Sequence, residues 1–271
     1  MHTPDHRWLR VGCRLEMTYA VASPMILLLR PRSGLYQWVA GDTYRVLPNL
    51  PIAEYTDVYG NLCQRLLAPV GPLSIWVQSE VRVLAGAQPA PGAPFVPVEE
   101  LPAETLIHLT PSRYCEADRL GPLANEITAG ALPGYDQVTA ISRWINQRID
   151  YLSESDPEPV SATEMVRRGN GVCRDFAHLG IALCRSLSIP ARLVVGYLER
   201  LEPMDLHAWF EAYVGGNWHT FDPTRPDLTG GRVCLGYGRD AADVAVFSQF
   251  GPPVIPSRLE VYVEPIDAPT A

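Results

Sequence analysis

Prolines at 89, 91, 94, 97 and 102 divide the chain into two parts that follow different apolar periods. Before them, Leu9, Val11, Cys13, Leu15, Met17 and Tyr19 alternate with Arg10, Arg14, Glu16 and Thr18, and Leu73, Ile75, Val77, Val81 and Val83 share one face of a second run. Successive side chains of a strand point to opposite faces, so each run predicts a strand buried on one side. Residues 25–29 and the segments flanking the Gly60-Asn61 turn signal add short strands, with no helical period between them. Residues 1–86 are therefore expected to form a β-sandwich, 87–103 a semi-rigid connector and 104–271 a second domain.

Past the connector the period becomes helical. Leu120, Leu123, Ala124 and Ile127 mark one helix, and Val138, Ile141, Ile145 and Ile149 a stronger stripe on a helix that also carries Trp144. Ser161-Ala162-Thr163-Glu164 reads as a capping box for a short helix ending near Gly169. From Cys173, the positions Phe176, Ala177, Gly180, Leu183, Cys184 and Leu187 trace one face of a helix that must stop before Pro190. Strands are expected over 192–198, 207–214, 218–222 and 259–263, which makes the chain an α+β protein.

Composition narrows the function classes. With 22 basic against 30 acidic residues and no Lys/Arg cluster, nucleic acid is not an expected partner. The first seven residues lack the apolar centre of a signal peptide, and no apolar run is long enough to span a bilayer, so a cytoplasmic location without membrane partners is expected. The six cysteines, at 13, 63, 115, 173, 184 and 234, form no CxxC pair, which suits reduced thiols better than disulfides or zinc. Cys13, Cys63 and Cys184 fall in apolar-patterned segments and read as core residues.

Cys173 differs from these. It follows Gly169-Asn170-Gly171 and opens a helix, while His207-Ala208-Trp209 and Phe221-Asp222-Pro223-Thr224 place a histidine and an aspartate on strands. A free thiol titrates near ~8.5, but at a helix N-terminus beside an imidazolium this falls to between ~3.5 and ~7.5. The N–H groups of the first helical turn also suit an oxyanion hole. A two-residue turn at Gly215-Gly216 pairs Val214 with Asn217 and Trp209 with Asp222, which sets Asp222 on the face of His207 and diagonal to it. A turn at Gly216-Asn217 keeps that parity, whereas a three-residue loop without a bulge puts Asp222 opposite Phe210, on the wrong face. The three residues then read as nucleophile, base and orienter.

Neighbouring polar residues read mainly as structural. Asp175 suits the helix dipole and a salt bridge, with a place in the cleft as its functional alternative. Arg174 and Arg239-Asp240 suit ion pairs, and His178 lies about 140° around the helix from Cys173. His219 alternates away from Asp222, and Trp209, sharing a face with His207, is expected to pack over the site.

The segments Gly171-Val172-Cys173-Arg174-Asp175-Phe176-Ala177-His178, Ile189-Pro190-Ala191-Arg192, Gly196-Tyr197, His207-Ala208-Trp209, Phe221-Asp222-Pro223-Thr224 and 238–244 resemble the transglutaminase-like superfamily. The resemblance is to its bacterial members described as candidate cysteine proteases, and the N-terminal strands with 57–61 look like the β-rich domain preceding their catalytic core. It implies a papain-like core, with the cysteine helix packed on an antiparallel sheet, and the triad Cys173, His207 and Asp222. Animal transglutaminases carry an oxyanion-stabilising tryptophan upstream of the cysteine, and Tyr151 is the candidate counterpart here. No cofactor is implied, and no calcium loop of EF-hand type is present in the sequence. The expected activity is acyl transfer from a protein or peptide amide through a thioester. Hydrolysis is favoured because water needs no second binding site; amine transfer and a non-catalytic protein-binding scaffold are the alternatives.

Overall fold

The computed structural model describes residues 5–152, 158–227 and 229–268. The first four residues of the stretch read for a signal lie outside them. Six strands come first: β1 (His6–Tyr19), β2 (Ser23–Leu27), β3 (Gln37–Leu47), β4 (Ala53–Thr56), β5 (Leu62–Ala68) and β6 (Gly71–Leu84). The alternation read in β1 and β6 is the burial pattern: the two strands pair in one sheet, and Leu9, Cys13 and Leu15 lie beside Val81, Val77 and Ile75 on its core face. β3 was not foreseen. A bulge between Val39 and Gly41 breaks its period-2 pattern, and its side chains are mostly half-exposed, so apolar alternation does not mark it.

The proline segment contains 3₁₀ turns at Val98–Glu100 and Ala103–His108 rather than extended linker alone. Then follow α1 (Gly121–Ile127), α2 (Tyr135–Arg148), β7 (Asp150–Tyr151), α3 (Ala162–Arg168), β8 (Asn170–Gly171) and α4 (Cys173–Ser186). Ser161 caps α3, its side chain accepting from the Glu164 N–H, and the helix closes at Gly169 as expected. β9 (Ala191–Leu198), β10 (Leu206–Val214), β11 (Asn217–Phe221) and β12 (Arg232–Gly238) form an antiparallel sheet in the order β11-β10-β9-β12. Helix α4 packs closely on this sheet: a Cβ at Gly180 would come within 2.4 Å of the Phe210 ring, so only glycine permits that approach.

The last strands depart from the expected division. β13 (Phe247–Gln249) pairs with β2 and β14 (Arg258–Ile266) pairs with β1, completing two four-stranded sheets, β14-β1-β6-β3 and β13-β2-β5-β4. The sandwich is thus not confined to 1–86, and the region 104–271 is not one continuous unit. Covering the open edge of β1 removes a row of unpaired backbone groups, and the chain end supplies the cover.

The two parts are also joined by side chains that act as substitutes for a strand. β12 is an edge of its sheet, and its outer backbone groups meet amides from the sandwich. Gln37 donates to the Cys234 carbonyl at 2.9 Å and accepts from its N–H at 2.8 Å; Asn61 does the same for Tyr237, both at 2.8 Å. Arg7 of β1 grips Glu199 through both carboxylate oxygens at 2.6 and 2.7 Å. Apolar residues of both parts, from Leu9 to Val233 and Leu235, belong to one contiguous core. Among the described residues no helix is long and apolar enough to cross a membrane.

Candidate active site

Cys173 is the first residue of α4, where its own N–H has no intrahelical acceptor. Asp175 makes that start possible: its buried carboxylate accepts from the N–H groups of Val172 at 3.2 Å and Val160 at 3.1 Å and pairs with Arg174. Its oxygens are therefore engaged with backbone at the helix start, which takes Asp175 out of the cleft set and makes it a cap.

The β10–β11 hairpin forms in the first of the registers considered. Gly215 and Gly216 have φ of 58° and 82°, the left-handed values that a two-residue hairpin turn of this hand requires at both central positions. Val214 pairs with Asn217 and Phe210 with Phe221, so the strand delivers Asp222 to His207. The His207 Nε2–H donates to Asp222 Oδ2 at 2.8 Å, both side chains being buried. Nδ1 is left for the thiol.

Asp222 is held from all sides. Oδ1 accepts from the Thr224 hydroxyl at 2.7 Å and its N–H at 3.2 Å, while Oδ2 also receives Arg232 Nη2 at 3.3 Å. Burial pushes the Asp222 carboxyl up, but the charge and hydrogen bond of His207, then Arg232 and Thr224, hold it below the usual carboxylate range. For His207, burial lowers the pKa; the charge and hydrogen bond of Asp222, with Cys173 adding in the same direction, outweigh it and raise the imidazole to about 9. Asp222 thus favours the charged form of the His207 ring, which is bonded to that carboxylate and neighbours the Cys173 sulfur.

Tyr151 lies at the approach. It pairs across β7–β8 with Gly171, two residues before the cysteine, and remains 53% exposed. Burial of part of the ring, then the negative charge of Cys173, Asp205 and Asp222, raise its phenol to about 12, so it stays a hydrogen-bond donor. Trp209 stacks on His207 with ring centroids 6.1 Å apart, only 2% exposed, as its shared face requires. Its Nε1 is buried with no acceptor.

The remaining candidates lie apart from this chemistry. His178 is inside the core, its Nδ1 against the Val160 carbonyl and its Nε2 accepting from the Ala241 N–H. His219 stacks edge-on with Tyr135, Arg239 pairs with Asp243, and Asp240 accepts from the Tyr114 and Ala242 N–H groups. All six cysteines are free, and burial pushes the thiols of Cys13, Cys115 and Cys234 up to about 11, 12 and 12. Arg232 was not foreseen: no alternating apolar run marks β12, so nothing local flagged its first residue. A cleft of about 410 Å³ between the sandwich and the sheet is lined by Trp209 and Arg232 but not by Cys173, His207 or Asp222.

Comparison with known proteins gives the family and the fold. Residues 121–223 match the family model described as the transglutaminase-like superfamily. The solved structure of a candidate cysteine protease from Cytophaga hutchinsonii is 34% identical and superposes with a TM-score of 0.90, covering 98% of this chain and 93% of that one. An uncharacterized protein of Mycobacterium leprae is 29% identical over 234 residues, 80% of this chain and 82% of its own length. The human kyphoscoliosis peptidase is 26% identical over 117 residues, which are 39% of this chain and 18% of that protein.

Proposed function

Because the chain belongs to the transglutaminase-like superfamily, we propose that it is a thiol enzyme that transfers acyl groups from peptide or glutamine-type amides, ordinarily to water. The observation that carries this reading is the His207 to Asp222 hydrogen bond of 2.8 Å beside a cysteine at a helix N-terminus. An imidazolium and the positive end of a helix both favour negative charge on the sulfur.

The reaction then runs in two halves. The Cys173 thiolate attacks the amide carbonyl carbon, and the oxyanion that forms is met by the Cys173 N–H and the Tyr151 hydroxyl. As the C–N bond breaks, Nδ1–H of His207 gives its proton to the leaving amine, and a thioester remains. Neutral His207 next takes a proton from water; the hydroxide adds to the thioester, and collapse releases the acid and restores thiolate and imidazolium. Asp222 keeps the ring oriented and stabilises its charged form throughout. The likeness to a candidate cysteine protease favours water over an amine as acceptor. The unpaired thiols favour a reducing, cytoplasmic setting.

Iodoacetamide labelling tests the nucleophile. Cys173 is expected to alkylate ahead of the other five cysteines, and His207→Asn is expected to slow it by ~10-fold or more at neutral pH. Equal rates in native protein and variant would overturn the reading. Peptide or ammonia release from casein, set against incorporation of a labelled primary amine, separates hydrolysis from transfer: amine incorporation that outruns release would reassign the enzyme as a transferase.

A further inference from the structure

Of the groups that hold Asp222, Thr224 is two residues away and comes with the local turn, whereas Arg232 arrives from another strand. Arg232 is the first residue of β12, and its side chain is only 8% exposed. An edge strand is ordinarily the least constrained part of a sheet. Here it is pinned on both sides of Arg232: on one side by Glu199, next to β9 and itself held by Arg7 of the sandwich, and on the other directly by Gln37 of the sandwich.

On the N-terminal side, the Gly231 N–H donates to Glu199 Oε2 at 3.0 Å and its carbonyl accepts from the Glu199 N–H at 3.0 Å, while Arg7 of β1 holds that carboxylate with one nitrogen, Nη1, that reaches both oxygens. Two residues beyond Arg232, Gln37 of β3 bonds both backbone groups of Cys234. The paired contacts of Glu199 with Gly231 and of the Gln37 amide with Cys234 fix direction as well as distance, and the charge of Arg7 anchors the first of them. The guanidinium so positioned shares Oδ2 of Asp222 with the His207 ring at 3.3 and 2.8 Å.

We infer that Arg232 is a positioning residue for Asp222, and that the N-terminal sandwich serves the reaction by clamping β12 so that this guanidinium stays in place. The inference rests on the proposed roles of His207 and Asp222. Arg232 orients the carboxylate and tempers its pull on the imidazole, because a second cation draws on the same oxygen. The charged and titratable groups around the pair are Asp222, Asp227 and Arg225 about Arg232, and Asp222, Cys173 and Asp205 about His207. Removing Arg232 leaves the carboxylate acting on His207 alone, so the imidazolium persists to higher pH.

The test is an NMR titration of the His207 ring in the full chain, read beside Cys173 alkylation by iodoacetamide. Arg232→Gln is expected to raise the His207 midpoint by ~0.5 or more, and Gln37→Ala to raise it by less, with the fold intact by circular dichroism. In Arg232→Ala, millimolar guanidinium entering from the cleft is expected to return the midpoint toward the native value. A midpoint unmoved in folded Arg232→Gln overturns the inference, as does a rise that guanidinium leaves unchanged. Should Arg232→Gln not fold, the Gln37→Ala shift decides. Slow alkylation of Cys173 in the native protein would instead sink the proposed function, while the titration still reports on Arg232.

Discussion

His207 and His178 are both buried, one on β10 and the other on α4, and burial pushes both imidazoles toward the neutral form. They end on opposite sides of their ordinary value. His178 has a carbonyl at Nδ1 and a backbone N–H donating to Nε2, a set that fits the neutral ring; protonating Nε2 would set one N–H against another. Asp175 and Asp240 act on it only by charge, and burial prevails. His207 has Asp222 bonded directly to Nε2 and rises to about 9. A directly bonded carboxylate, more than burial, separates the two imidazoles here.

The most severe way to break this comparison is to make His207 resemble His178. Asp222→Asn removes the charge and reverses the hydrogen-bond preference of the ring, and hydrolysis is expected to fall by about 10⁴-fold with the hairpin retained. Near-native turnover in that variant would show that the carboxylate is not what distinguishes the two. Next in size is the pH dependence of stability. His207 is raised, so its contribution is complete below its ordinary pKa of 6.5 and is lost as pH climbs through about 9, on the order of 3 kcal/mol. His178 and His108 are lowered, His108 to about 3 by burial and then nearby arginines, so their contribution is lost as pH falls below 6.5. Thermal unfolding should therefore weaken on both flanks. Asp222→Asn should abolish the alkaline loss, together with the part of the acid loss that the lowered Asp222 carboxyl itself contributes below its ordinary pKa of 3.8, and an unchanged alkaline limb would count against the assignment.

The part of this contrast that is local could be read from sequence. The Gly215-Gly216 turn alone fixes the parity that brings Asp222 to His207, and the apolar face after Cys173 places the cysteine at a helix start. What stayed hidden depends on distant partners. β12 is defined by pairing with β9 and by amides from Gln37 and Asn61, 197 and 176 residues away, and no periodicity encodes that. Arg232 was missed for this reason, and β14 was assigned to the wrong unit because an alternating strand does not say which edge it will cover. Asp175 was read as a dipole residue with a chance of facing the cleft; its buried backbone contacts resolve that ambiguity in favour of capping.

Two smaller substitutions sharpen the same lesson about partners. Tyr151→Phe deletes a half-exposed donor on the strand paired with Gly171, two residues before the cysteine, and a loss of ~10-fold to 100-fold in turnover with little change in substrate affinity is expected; an equal loss in affinity would mean that the phenol binds substrate instead. Trp209→Phe should do least. The indole stacks on His207, yet its Nε1 is buried without an acceptor, so the polar atom contributes nothing that phenylalanine would lose. A buried donor without a partner carries a desolvation cost of ~1–3 kcal/mol, and its removal offsets part of the packing lost with the smaller ring. Unfolding temperature and turnover are expected to stay near native, with the His207 titration unmoved. If turnover collapses instead, the indole N–H acquires an acceptor only once substrate is bound, and Trp209 would have to be counted with the groups that touch it.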